Sequence, residues 1–326
     1  MSRSRFAVLG LCVALGACGE KFVADAGTGG NGGTSSTAQA GVAAAGAPAG
    51  GSSGARAGVG EAGANETGGL PGHGGLGNAG AGTSAAGGGA APVEPEIPQA
   101  GLLVWLRADR GVQQRDGHVQ AWQDQSGNRN NASQAGVSLR PSYLATGFNG
   151  QPTLEFDGQG QFLKFADGFG DFSEGLTAVL VAKPTQSDCS SMVEFSNGSE
   201  VDDIAFSMWQ NKWMYEVGES YIQTGSVDTE RFSLYAVKHP PAGASALRIG
   251  GSVLDTDEIP LPVVPVSGIR VNNFVGHTLY GSCAYFEGQI SEVILYSRSL
   301  EESELSAIEA YLNARWALGE QDAPTP

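Results

Sequence analysis

Basic residues are scarce: 18 Lys and Arg stand against 34 Asp and Glu, giving a formal net charge of −16. Phosphate binding needs a basic footprint, so nucleic acid is not an expected partner. An acidic surface also disfavours anionic lipid, while neutral glycans and cations stay compatible. Cysteine is scarce as well, 4 residues with no C-x-x-C pair, and the 4 His are scattered at His73, His118, His239 and His277. Metal ligation by cysteine is therefore not expected. The run Phe6–Leu15 is far short of the roughly 20 apolar residues a spanning helix needs. The folded part holds no G-x-S-x-G elbow, H-E-x-x-H pair or Walker loop, which removes the common sequence-local hydrolase and nucleotidase sites.

What is present begins with "MSRSRFAVLGLCVALGAC": two arginines, a short apolar run, then small residues, the pattern of a secretory signal. Its ending, "LGAC", resembles a bacterial lipobox. That resemblance implies loss of residues 1–17 and lipidation of Cys18; the alternative is a soluble secreted protein in which Cys18 merely follows Leu15, Gly16 and Ala17. Gly19 is uncharged, so the Asp that retains lipoproteins at the inner membrane is missing. The expected location is the outer membrane or cell surface, by an N-terminal lipid anchor. Residues 18–95 are then dominated by Gly, Ala and Ser without a third-residue period. Such a composition cannot bury enough apolar surface to offset ordering entropy, and it predicts a disordered tether. A coil of roughly 70 such residues has an end-to-end distance of about 45 Å. Within it "GHGGLG", Gly72 to Gly77, matches G-x-G-x-x-G, but no strand precedes it and no helix follows, so the dinucleotide reading fails.

From residue 96 to 319 the texture changes. Short apolar runs such as "LLVWLRA", "LTAVLVAK", "KWMYEV" and "QISEVILYS" alternate with Gly, Asn, Asp and Pro, many with period two. This predicts an all-β, two-sheet antiparallel sandwich. One helix closes it, in "SLEESELSAIEAYLNARWALG": Ser299 and Glu302 form a capping box, Leu305, Ile308, Leu312 and Trp316 share a face, and Gly319 stops it. Residues 320–326 read as a disordered tail. With Cys12 in the signal and Cys18 at the anchor, Cys189 and Cys283 remain, and an exported domain favours their pairing as a disulfide over two buried free thiols.

The segments "LLVWLRADRGV", "VQAWQDQSGNRNNASQ", "NGQPTLEFDGQGQFLKF" and "GQISEVILYSRSLEESELSAIEAYLNARW" come in that order. Together they resemble the LamG-like jelly-roll domains of the concanavalin A-like lectin/glucanase superfamily, over about residues 100–318. The resemblance implies a jelly-roll sandwich. It does not fix function, since that superfamily holds lectins, hydrolases, adhesion modules and structural domains.

Three functional readings follow. A retaining glycosidase of the family 16 type carries E-x-D-x-E or E-x-D-x-x-E on one strand; in "EVDDIAF" Glu200 and Asp202 match, but Ile204 or Ala205 falls where the proton donor belongs. An enzyme is therefore not expected. A cation site is the second. Asp124, Asn128, Asn130 and Asn131 of "DQSGNRNN", or Glu200, Asp202 and Asp203 of "NGSEVDD", offer hard oxygen ligands, so no cofactor is required but calcium is possible. Asp124 alone supplies a carboxylate in the first loop, and a turn capped by Asp124 with Gly127 at positive φ is the simpler reading. Third, a glycan surface needs exposed aromatic faces beside amides or carboxylates. "FSMWQNKWMYEVGESY" supplies Trp209, Trp213, Tyr215 and Tyr221, with Trp209 and Trp213 expected to approach across the Gln210-Asn211-Lys212 turn unless they are ordinary core. The expected function is a non-catalytic, surface-anchored binding module for a glycan or cell-surface macromolecule. The alternatives are a structural or adhesion protein binding protein partners, or a glycoside hydrolase-like enzyme.

Overall fold

The computed structural model describes residues 97–186, 188–280, 283 and 285–320. The signal peptide, Cys18, the whole of the tether and residues 321–326 lie outside these residues.

The described strands, numbered along the chain, form two antiparallel layers. In the first, β17 (Glu287–Tyr296) is central. One edge of it pairs with β8 (Leu176–Pro184), which continues to β13 (Ser233–His239), β14 (Ser245–Ile249) and β15 (Ser252–Asp257). Its other edge pairs with β1 (Leu102–Arg107) and with β6 (Gln151–Asp157), beyond which lies β5 (Ser142–Phe148). The second layer runs β12 (Ser220–Ser226), β11 (Lys212–Val217), β10 (Ile204–Trp209), β9 (Ser190–Ser196), β16 (Asn272–Val275) and β7 (Leu163–Phe165). It ends with β4 (Ala132–Ser133), β3 (His118–Trp122) and β2 (Val112–Arg115). A single His118–Ser142 pairing joins β3 to β5 at a corner of the sandwich. The architecture is the expected jelly-roll sandwich with one C-terminal α-helix.

The core lies between the layers, where Val104, Leu180, Val293 and Leu295 meet Phe165, Val193, Phe195 and Phe206. The first layer is covered on its other face too, so β8 is buried almost without interruption and "LTAVLVA" shows little alternation. That cover is α1 (Glu302–Trp316), whose Leu305, Ile308, Leu312 and Trp316 are buried as the spacing predicts. Both helix ends differ from the expectation. Glu301 is the cap, reciprocated by Glu304, while the Ser299 N–H donates to Glu174 O. Glu304 also takes both terminal nitrogens of Arg298, which ties the first turn to the strand before it. The left-handed residue that ends the helix is Ala317 (φ 50°), two residues before Gly319.

Beneath α1 the buried carboxylate of Glu292 accepts the indole N–H of Trp105 at 2.6 Å and that of Trp316 at 2.8 Å. Burial pushes it up to about 7, an effect the two indole donors and the Arg107 and Arg315 charges only partly oppose. Arg248 of β14 donates to both carboxylate oxygens of Glu309, at 2.8 and 2.9 Å, a second buried link between sheet and helix.

Candidate functional site: a groove on the outer face of the second sheet

The β10–β11 hairpin decides which aromatics are available. Its loop is two residues, Gln210 and Asn211, both at positive φ (49° and 60°), the turn whose twist suits adjoining strands. Trp209 therefore pairs with Lys212, and Trp213 pairs with Met208. Side chains alternate along a strand, so Trp209 and Trp213 point to opposite faces. Trp213 is fully buried and meets Tyr235 edge-on at 5.1 Å; Tyr215 is fully buried with its hydroxyl 2.9 Å from His239 Nδ1. Both belong to the core, which corrects the expectation that they form a ligand platform. Burial holds the His239 ring down at about 4 and pushes the Tyr215 phenol far above its ordinary value. Trp209 and Tyr221 are partly exposed on the outer face.

The outer face of β9 to β12 is a ladder set by strand register. One rung runs Glu194, Ala205, Glu216, Tyr221. The next runs Ser191, Ser207, Met214, Gln223, with the two serine hydroxyls 2.7 Å apart. Adjacent strands are about 4.8 Å apart, so the Glu194 and Glu216 backbones stand roughly 9.5 Å apart across the small Ala205. These side chains floor a groove of about 430 Å³.

The walls come from distant parts of the chain. A disulfide joins Cys189 to Cys283 across 94 residues with Cα atoms 4.7 Å apart, as the cysteine count suggested. It fastens the segment carrying Thr278, Leu279 and Tyr280 beside β9, and the Tyr280 ring stands edge-on to Trp209 at 6.4 Å. On the other side the Gln210 N–H donates to Asp188 at 2.8 Å, which fixes the hairpin tip at the rim. Glu194 is almost fully buried at the foot of this wall. Burial raises it above its ordinary value, and the Thr278 hydroxyl, Leu279 N–H and Ser196 hydroxyl oppose that by donating to it. Asp203 lines the groove as well, and its charge pushes Glu194 further up.

The sequence-proposed cation ligands do not converge. Asp124 Oδ1 accepts the N–H groups of Trp105 and Ser126, and Oδ2 accepts the Ser126 hydroxyl and the Asn130 N–H, all at 2.6–2.9 Å. Asn128 turns its amide nitrogen to the Leu102 carbonyl, and Asn131 accepts from Asp124 N–H. A carboxylate ringed by donors is the inside of a turn, and this donor set does not fit a cation. Gly127 takes φ 91°, as such a turn requires. In the second loop Glu200 and Asp202 both adopt positive φ in the turn between β9 and β10. Asp202 accepts from Asn197 at 2.9 Å, whereas Asp203 belongs to the groove. Among the described residues no group of three or more His, Cys, Asp and Glu is placed to hold a metal ion.

Sequence reasoning missed Glu194, Glu216, Gln223 and Tyr280. Period-two alternation in "KWMYEV" does put Glu216 opposite the apolar face of its strand. "SSMVEFS" carries too few apolar residues to read as a strand, so Glu194 gave no signal.

Fold and groove together define a jelly-roll sandwich that presents a ligand-sized groove on the open face of one sheet. No family model and no curated protein matches the sequence. Among solved structures, the chain is similar to domain 4 of AbnA, a GH43 extracellular arabinanase from Geobacillus stearothermophilus, in complex with arabinotriose. That match has a TM-score of 0.50 and 16% identity, over 64% of this chain and 98% of that one. The binding domain of Paraclostridial Mosquitocidal Protein 1 is similar at TM-score 0.46 and 13% identity, over 65% of this chain and 53% of that one. Trypanosoma rangeli sialidase in complex with sialic acid is similar at TM-score 0.46 and 15% identity, over 68% and 34%. The chain thus spans about half and a third of the last two. At these identities the likeness is one of fold.

Proposed function

We propose that the protein is a surface-anchored, LamG-like binding module whose groove takes a glycan without cleaving it. One observation carries this reading: Trp209, Tyr221 and Tyr280 rim a groove floored by Glu194, Glu216 and Gln223. Sugar rings offer apolar faces and a fringe of hydroxyls, which match aromatic planes beside carboxylate and amide groups. The arabinotriose bound to the arabinanase domain supports a glycan as ligand class for such a sandwich. Anchoring through a lipid on Cys18 and a location at the outer membrane or cell surface complete the proposal. A screen of the purified protein on a glycan array, in calcium and again in EDTA, tests it. Binding abolished by Trp209→Ala supports the groove. An empty array in both buffers sinks it in favour of a protein-binding adhesion role.

A hydrolase reading draws support from Glu194 and Glu216. With β10 between their strands, their backbones stand roughly 9.5 Å apart, at the upper end of the roughly 6.5–9.5 Å carboxyl separation of inverting glycosidases. Against it, Glu194 is almost fully buried, and its carboxylate is occupied by three donors. Release of reducing ends from a polysaccharide that binds, lost in Glu216→Gln, would establish hydrolysis and overturn the non-catalytic reading.

A further inference from the structure

The chemistry of the groove is one-sided. Glu194, Asp203 and Glu216 line it, while the described lining includes no Lys, Arg or His. Arg270, whose guanidinium donates to the carbonyls of Phe169, Asp202 and Val263, is a buried counter-charge to Asp203, which leaves Glu194 and Glu216 as the acidic excess of the groove. Three aromatic rings, those of Trp209, Tyr221 and Tyr280, border the same space.

Resting on the glycan-groove reading, we infer that the groove selects sugars bearing a free, protonated amine, such as deacetylated hexosamine oligomers, and rejects anionic sugars. The aromatic faces attract an ammonium through their quadrupoles and the carboxylates attract it by charge. Low-dielectric walls of a single sign focus the field within the cleft. An N-acetylated sugar keeps the stacking but loses the charge. A sialic acid or uronate brings a carboxylate against this acidic excess.

The test titrates the full chain, in detergent, with a glucosamine hexamer, an N-acetylglucosamine hexamer and 3′-sialyllactose, read by calorimetry. The glucosamine hexamer should bind at least about tenfold more tightly than its acetylated counterpart, the scale of one charge-assisted hydrogen bond. That preference should collapse in about 1 M salt, where the Debye length is about 3 Å. Glu216→Gln should narrow it, weakening the glucosamine hexamer more than the acetylated one. Should that variant lose its near-ultraviolet circular dichroism, Gln223→Lys serves instead, placing a cation in the groove that should expel the glucosamine hexamer. Equal binding of both hexamers, or tighter binding of sialyllactose, overturns the inference yet leaves the glycan reading standing if Trp209→Ala abolishes binding. No binding of any sugar overturns both.

Discussion

Trp209 and Trp213 stand four residues apart on one hairpin, yet one borders the groove and the other is sealed in the core against Tyr235. Truncating them should therefore have separable effects. Trp213→Ala should destabilise by about 3–5 kcal/mol, the cost of deleting a large buried side chain and leaving a cavity. Trp209→Ala should leave the unfolding free energy within about 0.5 kcal/mol of the parent, as for a surface substitution, while removing ligand binding. Urea melts of the two variants check the pair. Equal destabilisation would mean Trp209 is structural.

The Cys189–Cys283 bridge closes a loop of 94 residues, for which chain-entropy reasoning gives about 4–5 kcal/mol. The double serine variant should lose up to that amount. Because the bridge also holds the segment carrying Tyr280 and the Leu279 N–H beside Glu194, ligand affinity should fall under conditions where the variant is still folded. Affinity unchanged in a folded double variant would separate the bridge from the groove.

Glu292 should leave a mark on the pH dependence of stability. Its folded value of about 7 lies above its ordinary 4.5, so the native state holds a proton that the unfolded chain releases. Its contribution is then fully present below pH 4.5 and is lost as pH rises towards 7, by about 3 kcal/mol at most. His239 acts in the opposite sense: its folded value of about 4 lies below 6.5, so stability falls as pH drops from 6.5 towards 4. In Glu292→Gln the loss between pH 4.5 and 7 should vanish and the acid-side loss from His239 should persist. The variant should also be less stable than the parent at pH 4.5, since an amide offers one oxygen where two indole N–H groups need acceptors. Parallel stability curves for parent and variant would refute the assignment to Glu292.

Asp124 is the hub of its turn, so Asp124→Ala should destabilise by about 1–3 kcal/mol, the cost of donors left unsatisfied where they are buried. Melting temperature should not respond to calcium or EDTA through this loop. A calcium-dependent rise that Asp124→Ala removes would reinstate a cation there.

Several features were legible in the order of residues alone. Asn and Asp side chains bond their own backbone, so "DQSGN" announced its turn before any tertiary contact was known. Leu305, Ile308, Leu312 and Trp316 recur at helical spacing because one face must be buried, and they are buried. Runs of about strand length, bounded by turn residues, announced an antiparallel sandwich. Two cysteines in the segment read as folded and exported pointed to the pairing that joins Cys189 to Cys283.

The rest depended on register and assembly. Whether Trp213 meets ligand or core turns on a single residue of hairpin length, because side chains alternate along a strand and a two-residue turn shifts Trp213 out of line with Trp209. The helix cap moved from Ser299 to Glu301 because the Ser299 N–H pairs with Glu174 and the Arg298 side chain secures Glu304. The groove itself has no contiguous signature. Glu194, Glu216, Tyr221 and Tyr280 come from three strands and a disulfide-held segment, and only strand pairing and the Cys189–Cys283 link put them on one face. Local preference fixes turns, strands and the helix; which carboxylates share a cleft is decided by long-range pairing, which no short stretch encodes.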